Sequence, residues 1–211
     1  MITIYHLSTS RSERIVWLME ELGLEYKIES FEREPSGAAP QAMKAMHALG
    51  RAPLIRDGDL LLAESGAIVD YIVHGHADGR LAIKPNDSAY SRYVYWLHFA
   101  EGSLMSLMLI ALVLSRVPEA SASAVTGRIR DRMKQMLSFV DSELGEDRWF
   151  AGSEFTAADV MMTFPFTTMR RFLDYELAPY AKLVAYLKRI EARPAYQRAM
   201  SLAGPAEKKY Y

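Results

Sequence analysis

Hydrophobic alternation and helical spacing divide this chain into two unlike parts. Ile2, Ile4 and the residues between them read as a strand, which the polar cluster Ser8-Thr9-Ser10-Arg11-Ser12 ends. Ile15, Leu18, Met19 and Leu22 then recur at i, i+3, i+4 and i+7, and Gly23 stops them, which predicts a helix of roughly three turns. Leu24 to Phe31 alternates as a second strand, Glu32 to Ala39 is a loop rich in Pro, Gly, Ser and Ala, and Gln41 to Met46 is a short helix. Leu54-Ile55-Arg56 and Leu60-Leu61-Leu62 predict two short strands, with Asp57-Gly58 supplying the positive φ of a tight hairpin. Ala67, Ile68, Tyr71 and Ile72 follow at helical spacing, which places Ser65 as the N-cap.

The order β-α-β-α-β-β-α is a thioredoxin-like arrangement. Gly75 to Asp87 is polar and turn-forming and reads as a linker. Beyond it no alternating run competes with helical spacing, so an all-α domain is expected. Tyr90, Tyr93, Leu97, Ala100 and Leu104 mark a long helix opened by Asp87-Ser88, and Pro118 to Ser123 breaks the one that follows. Ile129, Met133, Met136, Leu137 and Val140 mark another, ending near Gly145. Thr156 and Asp159 have the spacing of a capping box, with Phe155 and Val160 able to staple across the entry. Leu183, Tyr186, Leu187 and Ile190 form the last clear helix, stopped by Pro194, and the tail Gly204 to Tyr211 is expected to be loose. The expected division is residues 1–76, a linker over 77–87, and a helical bundle over 88–211.

Composition narrows the function classes. The chain has 211 residues, half of them apolar, and a net charge of −1 without a basic tail, so nucleic acid is not an expected partner. The first ~80 residues carry more acids than bases, so an anion site there must be built from amides and a few arginines. Cysteine is absent, which removes disulfides, thiolate metal sites and any protein-thiol nucleophile. The first residues lack a leader pattern, and the apolar run Leu104 to Leu114 is short for a bilayer, so a cytoplasmic protein without membrane attachment is expected.

The candidate chemistry begins at the strand-to-helix passage Ala63-Glu64-Ser65-Gly66. A carboxylate and a hydroxyl stand there beside the free N–H groups of a helix start, a setting that suits the head of a zwitterionic amino acid. Upstream, Pro53 holds Ala52 extended, leaving its backbone open to a peptide alongside. The run G-R-A-P-L-I-R-D-G-D-L-L-L-A-E-S-G-A-I resembles the glutathione-binding segment of the soluble glutathione transferases. That resemblance implies that Ala52, before a cis-Pro53, pairs with the cysteinyl part of glutathione. It also implies that Glu64 and Ser65 hold the γ-glutamyl group, and that Arg51 faces the tripeptide. The Phe155 to Val160 box resembles that of the same family's second domain, and S-R-S-x-R-I-x-W-L from Ser10 resembles a bacterial and fungal branch.

Glutathione chemistry requires a thiol with a solution pKa of ~8.5 to become a thiolate near neutral pH. A hydroxyl donor at a helix start does this. Ser10 is the first choice, with Thr9 and Tyr5 as alternatives. By the resemblance, a small apolar electrophile is expected on the first long helix of the α domain, with Tyr95, Phe99 and Met105 as candidates and Trp96, Met108, His98 and Glu101 beside them. The implied protein is a homodimeric detoxification enzyme that uses glutathione as co-substrate and no metal. Its rivals are a glutathione-dependent peroxidase or disulfide reductase, and a non-catalytic glutathione-binding protein of the same fold.

Overall fold

The computed structural model describes residues 1–120, 122–145 and 148–205. These residues form two compact units, one holding residues 1–82 and 191–205 and the other residues 83–190.

In the first unit β1 (Ile2–Leu7) is followed by α1 (Glu13–Leu22), β2 (Tyr26–Phe31), α2 (Gln41–Lys44), β3 (Leu54–Asp57), β4 (Leu60–Ala63) and α3 (Ser65–Gly75). The sheet order is β2-β1-β3-β4, with β1 parallel to β2 and antiparallel to β3. Period-two alternation sends Ile4 and Tyr5 of β1 to opposite faces. Tyr5 and Leu7 join Ala39, Met43 and Leu54 in one buried cluster, while α1 and α3 pack against each other and bury Ile15, Leu18, Ile68 and Ile72. α1 ends as expected, with Gly23 left-handed at φ 61° and its N–H bonded to the Glu20 and Met19 carbonyls.

Three local expectations are corrected. The hairpin loop is Gly58-Asp59, since β3 runs on through Asp57 and only Gly58 takes a positive φ. Ser65 is the first helical residue of α3, and the cap is Glu64, whose carbonyl accepts from Ile68 N. Pro194 starts a helix, because a proline at the first helical position gives up only an N–H that has no helical partner. That helix, α9 (Pro194–Ala203), returns to the first unit. There Tyr196 meets Trp17 edge-on at 4.9 Å, and Arg193 grips Glu21 through two bonds of 2.6 and 2.7 Å. Helical spacing carried no sign of this return. The tail expected to be loose lies, from residue 206 on, outside the described residues.

The second unit contains α4 (Tyr90–Phe99), a π-helical turn over Ala100–Met105, α5 (Ser106–Ser115), α6 (Ala124–Glu143), α7 (Ala157–Phe166) and α8 (Ala181–Glu191). The apolar run extends further than the sequence suggested. Tyr90–Ser115 is a 26-residue helix that passes for a membrane span by length and composition, while Tyr93, Trp96, Leu97, Leu104 and Met108 belong to the buried core. Trp96 lies within 6 Å of Phe99, Phe139 and Phe150.

α7 is buried along its whole length, and its start is fixed by Asp159. One carboxylate oxygen accepts from Phe150 N at 3.0 Å, the other from Thr156 N at 2.9 Å and the Thr156 hydroxyl at 3.1 Å. Burial pushes this carboxyl up to about 6 against the pull of those hydrogen bonds. Asp159→Asn should lower stability by about 1–3 kcal/mol, because in either amide orientation an NH2 group faces a buried backbone donor. Urea unfolding measures this, and an unchanged midpoint would contradict the assignment.

Candidate functional site

The sheet register brings the sequence candidates of the first unit to one end of the sheet. Tyr5 pairs with Leu54, and Leu54 pairs with Ala63. The loop after β1, the Ala52-Pro53 step before β3 and the Glu64-Ser65 passage after β4 therefore open at the same end of the sheet. β2 ends there too, with Phe31 opposite Leu7. Loops beyond the carboxyl end of a parallel strand pair are the usual ligand side of such a sheet.

Two of these three loops offer unused polar groups. The Ala52-Pro53 bond is cis, and Ala52 stands two residues before the first paired residue of β3, Leu54. Glu64 takes φ 75°, a region that a side chain seldom occupies, and its carboxylate is exposed. Ser65 is buried. Neither side chain makes a hydrogen bond to a described residue, and neither caps α3. An eleven-residue helix thus starts with free N–H groups, a carboxylate and a hydroxyl side by side. Arg51 is exposed at the same end, and His47 Nδ1 accepts from Leu49 N at 3.1 Å.

The third loop contains the hydroxyls, and the structure separates their surroundings. Thr9 Oγ1 donates to Ser8 O at 2.7 Å and accepts from Arg33 Nε at 3.2 Å. Thr9 itself sits at φ 51°, unusual for a β-branched residue. Arg33 holds that bend by also binding Ser8 O, Thr9 O and Gly37 O. Sequence reading missed Arg33, since one arginine in a polar loop carries no spacing signal. Tyr5 Oη accepts from Arg56 Nε at 3.1 Å, with its ring in the buried cluster.

Ser10 is 7% exposed. Its Oγ lies 2.7 Å from Ser12 Oγ and accepts from Ser12 N at 3.2 Å. Ser12 precedes α1 yet does not cap it with its side chain. Its Oγ points back, accepting from Leu7 N at 3.1 Å and lying 2.8 Å from His6 Nδ1. Burial holds the His6 imidazole at about 4, with Glu32 opposing the shift.

In the helical unit the expected apolar candidates separate by burial. Tyr95 is 48% exposed and stacks on Phe99 at 5.5 Å, whereas Phe99 and Met105 are core residues. An open cavity of about 1000 Å³ lies elsewhere in this unit, lined by Leu114, Ile129, Met133, Leu137, Leu173 and Tyr175 among others. The stripe on α6 that the spacing marks as core therefore faces open space along part of its length. Among the described residues no group of three His, Asp or Glu side chains can hold a metal ion.

A thioredoxin-like unit followed in the chain by an all-α unit is the two-unit architecture that the element order predicts. Comparison with known proteins makes the assignment specific. The family profile "Glutathione S-transferase, N-terminal domain" matches residues 1–74, and "Glutathione S-transferase, C-terminal domain" matches residues 104–194. Glutathione S-transferase 3 of Schizosaccharomyces pombe is 31% identical over 208 residues, covering 92% of this chain and 85% of its own. A glutathione S-transferase structure from Actinobacillus pleuropneumoniae is 35% identical with a TM-score of 0.86, covering 97% of this chain and 94% of that one. A family member from Pseudomonas fluorescens with two glutathione bound shares the fold, at 23% identity and TM-score 0.75 over 94% of this chain and 92% of its own. The chain belongs to the glutathione S-transferase family.

The buried imidazole implies a pH effect on stability. His6 titrates near 6.5 when unfolded and at about 4 when folded, so stability present in full above pH 6.5 is lost as pH falls through 4. The loss is about 3 kcal/mol. His6→Gln should flatten this part of the acid profile relative to the parent in paired urea titrations. Parallel profiles would contradict a buried neutral His6.

Proposed function

We propose that this protein binds glutathione on the first unit, ionises its thiol beside Ser10, and adds the thiolate to an apolar electrophile. The convergence of Ser10, Ala52-Pro53 and Glu64-Ser65 on one end of the sheet carries this reading. The α-carboxylate of the γ-glutamyl residue takes Ser65 and the free N–H groups of α3. Its ammonium takes Glu64, and the cysteinyl backbone lies along Ala52. Arg51 neutralises the glycyl carboxylate. Glutathione is a co-substrate here, and the reaction needs no metal.

Ser10 is favoured over Thr9 because the Thr9 hydroxyl proton already goes to Ser8 O, and over Tyr5 because that ring lies in the core beside Arg56. A hydroxyl hydrogen bond to the sulfur stabilises the thiolate more than the thiol and so lowers its pKa. The thiol proton leaves to solvent as the thiolate forms; the sulfur then bonds to carbon, and the leaving group, halide in an aryl halide, departs with its electron pair. Holding both reactants supplies the rest of the rate. Tyr95, the exposed member of the aromatic group, is the residue offered to the electrophile, with Phe99 stacked on it and Met105 further along in the core. The start of α1 fits the bacterial and fungal branch, and a cytoplasmic site suits a thiol-dependent enzyme without cysteine. A homodimer fits the exposed apolar row Leu109, Ile110, Val113 and Val117; sedimentation should give twice the chain mass, and a monomer at working concentration would contradict it.

Glu64→Ala and Ser65→Ala should each weaken glutathione binding by about 1.5–3 kcal/mol, the range for a hydrogen bond to a charged group. Calorimetry reads this directly, and unchanged affinity would refute the site. Conjugation of a model aryl halide should fall at least tenfold in Ser10→Ala, as expected for loss of an activating donor, and far less in Thr9→Val and Tyr5→Phe. Turnover of cumene hydroperoxide without conjugation would show that the reaction is peroxide reduction instead.

A further inference from the structure

The hydroxyl chain behind Ser10 has a direction that one ring proton sets. Ser12 Oγ has one proton and two lone pairs, and Leu7 N–H fills one lone pair at 3.1 Å. The remaining lone pair and proton are divided between His6 Nδ1 at 2.8 Å and Ser10 Oγ at 2.7 Å; Leu7 O, at 3.4 Å, is a poorer acceptor. Ser10 Oγ already accepts from Ser12 N at 3.2 Å and meets no other described residue.

Two arrangements satisfy these atoms. With the ring proton on His6 Nδ1, the imidazole donates to Ser12 Oγ and fills its second lone pair, so the Ser12 proton goes to Ser10 Oγ. Both Ser10 lone pairs are then occupied, and the Ser10 proton has no acceptor in the protein. It points out, where a thiolate can take it. With the ring proton on Nε2, Nδ1 accepts the Ser12 proton, Ser12 accepts the Ser10 proton, and Ser10 presents a lone pair to the sulfur. A thiolate is repelled by that second arrangement.

We infer that His6 is a positioning residue that, as its Nδ1–H tautomer, acts through Ser12 to make Ser10 an outward hydrogen-bond donor to the glutathione sulfur. The inference rests on Ser10 being the activating hydroxyl. His6 touches neither glutathione nor the electrophile in this scheme. Its burial keeps the ring neutral at working pH, so a choice of tautomer exists to be made. Binding of the thiolate selects the outward arrangement, because only that one offers the sulfur a proton.

The test has two arms on the full chain with bound glutathione. Long-range proton–nitrogen NMR of the parent protein reads the tautomer without any substitution: a protonated Nδ1 is expected, and a protonated Nε2 in the glutathione complex would overturn the inference. The ultraviolet absorbance of the bound thiolate is then titrated against pH in His6→Leu, His6→Asn and Ser10→Ala. His6→Leu removes the donor and should raise the midpoint by about one pH unit, a tenfold loss of thiolate at fixed pH, with glutathione affinity little changed. His6→Asn offers an amide N–H near the Nδ1 position and should restore most of it. A merely structural His6 would lower thermal stability and leave the midpoint in place. If Ser10→Ala leaves the midpoint unmoved, the Ser10 reading itself fails. If Ser10→Ala raises it while His6→Leu does not, only the present inference fails. Should His6→Leu not fold, the NMR arm on the parent protein decides the inference alone.

Discussion

The end of β1 has a hydrogen-bonding obligation that shapes the site around it. β1 is paired on both sides, so its backbone groups are satisfied as far as the sheet reaches. At Leu7 the chain must leave the sheet for α1. The Leu7 N–H is buried there, and an unmet donor in that place costs on the order of 1–3 kcal/mol. Ser12 meets it with a hydroxyl brought back from five residues on. That bond withholds the Ser12 side chain from capping α1 and draws Ser10 and His6 into one connected set. The loop between is bent sharply enough to put Thr9 at positive φ, and Arg33 fastens it from β2's side.

A second obligation shapes the opposite part of the sheet edge. β4 passes into α3 with a single residue between them, Glu64, whose φ of 75° redirects the chain. The helix then begins without a side-chain cap. In most helices a serine or aspartate at the cap would satisfy a first-turn donor; here the Glu64 and Ser65 side chains make no hydrogen bond to a described residue. The two loops differ in kind. In one, the His6, Ser10 and Ser12 side chains bond to one another; in the other, the Glu64 and Ser65 side chains bond to no described residue.

Much of this was legible in the sequence because it is local. Gly23, Pro53 and the Thr156–Asp159 pair act within a few residues, and each does what its position implies. Element order followed from hydrophobic period, and the family resemblance rested on a contiguous run. Contacts between distant positions were not legible. Arg33 on Thr9, Arg193 on Glu21 and the return of α9 join residues between 24 and 179 apart in sequence. The extra length of the helix from Tyr90 was hidden by its π turn, where one more residue per turn shifts the apolar stripe out of register. Ser65 was placed one position late because a non-glycine residue at positive φ, as Glu64 is, cannot be anticipated from propensity. The partial exposure of the α6 stripe was equally hidden, since a residue that faces a cavity and one that faces a packed neighbour are both apolar.

A crystal structure with glutathione tests the central claim most directly: the loops after β1 and β4 and the step before β3 form one tripeptide site. The account predicts the γ-glutamyl head on Glu64 and Ser65, the cysteinyl backbone along Ala52, and the sulfur within hydrogen-bonding distance of Ser10 Oγ. A sulfur seated on Thr9 or Tyr5, or a tripeptide bound away from that edge, would contradict it.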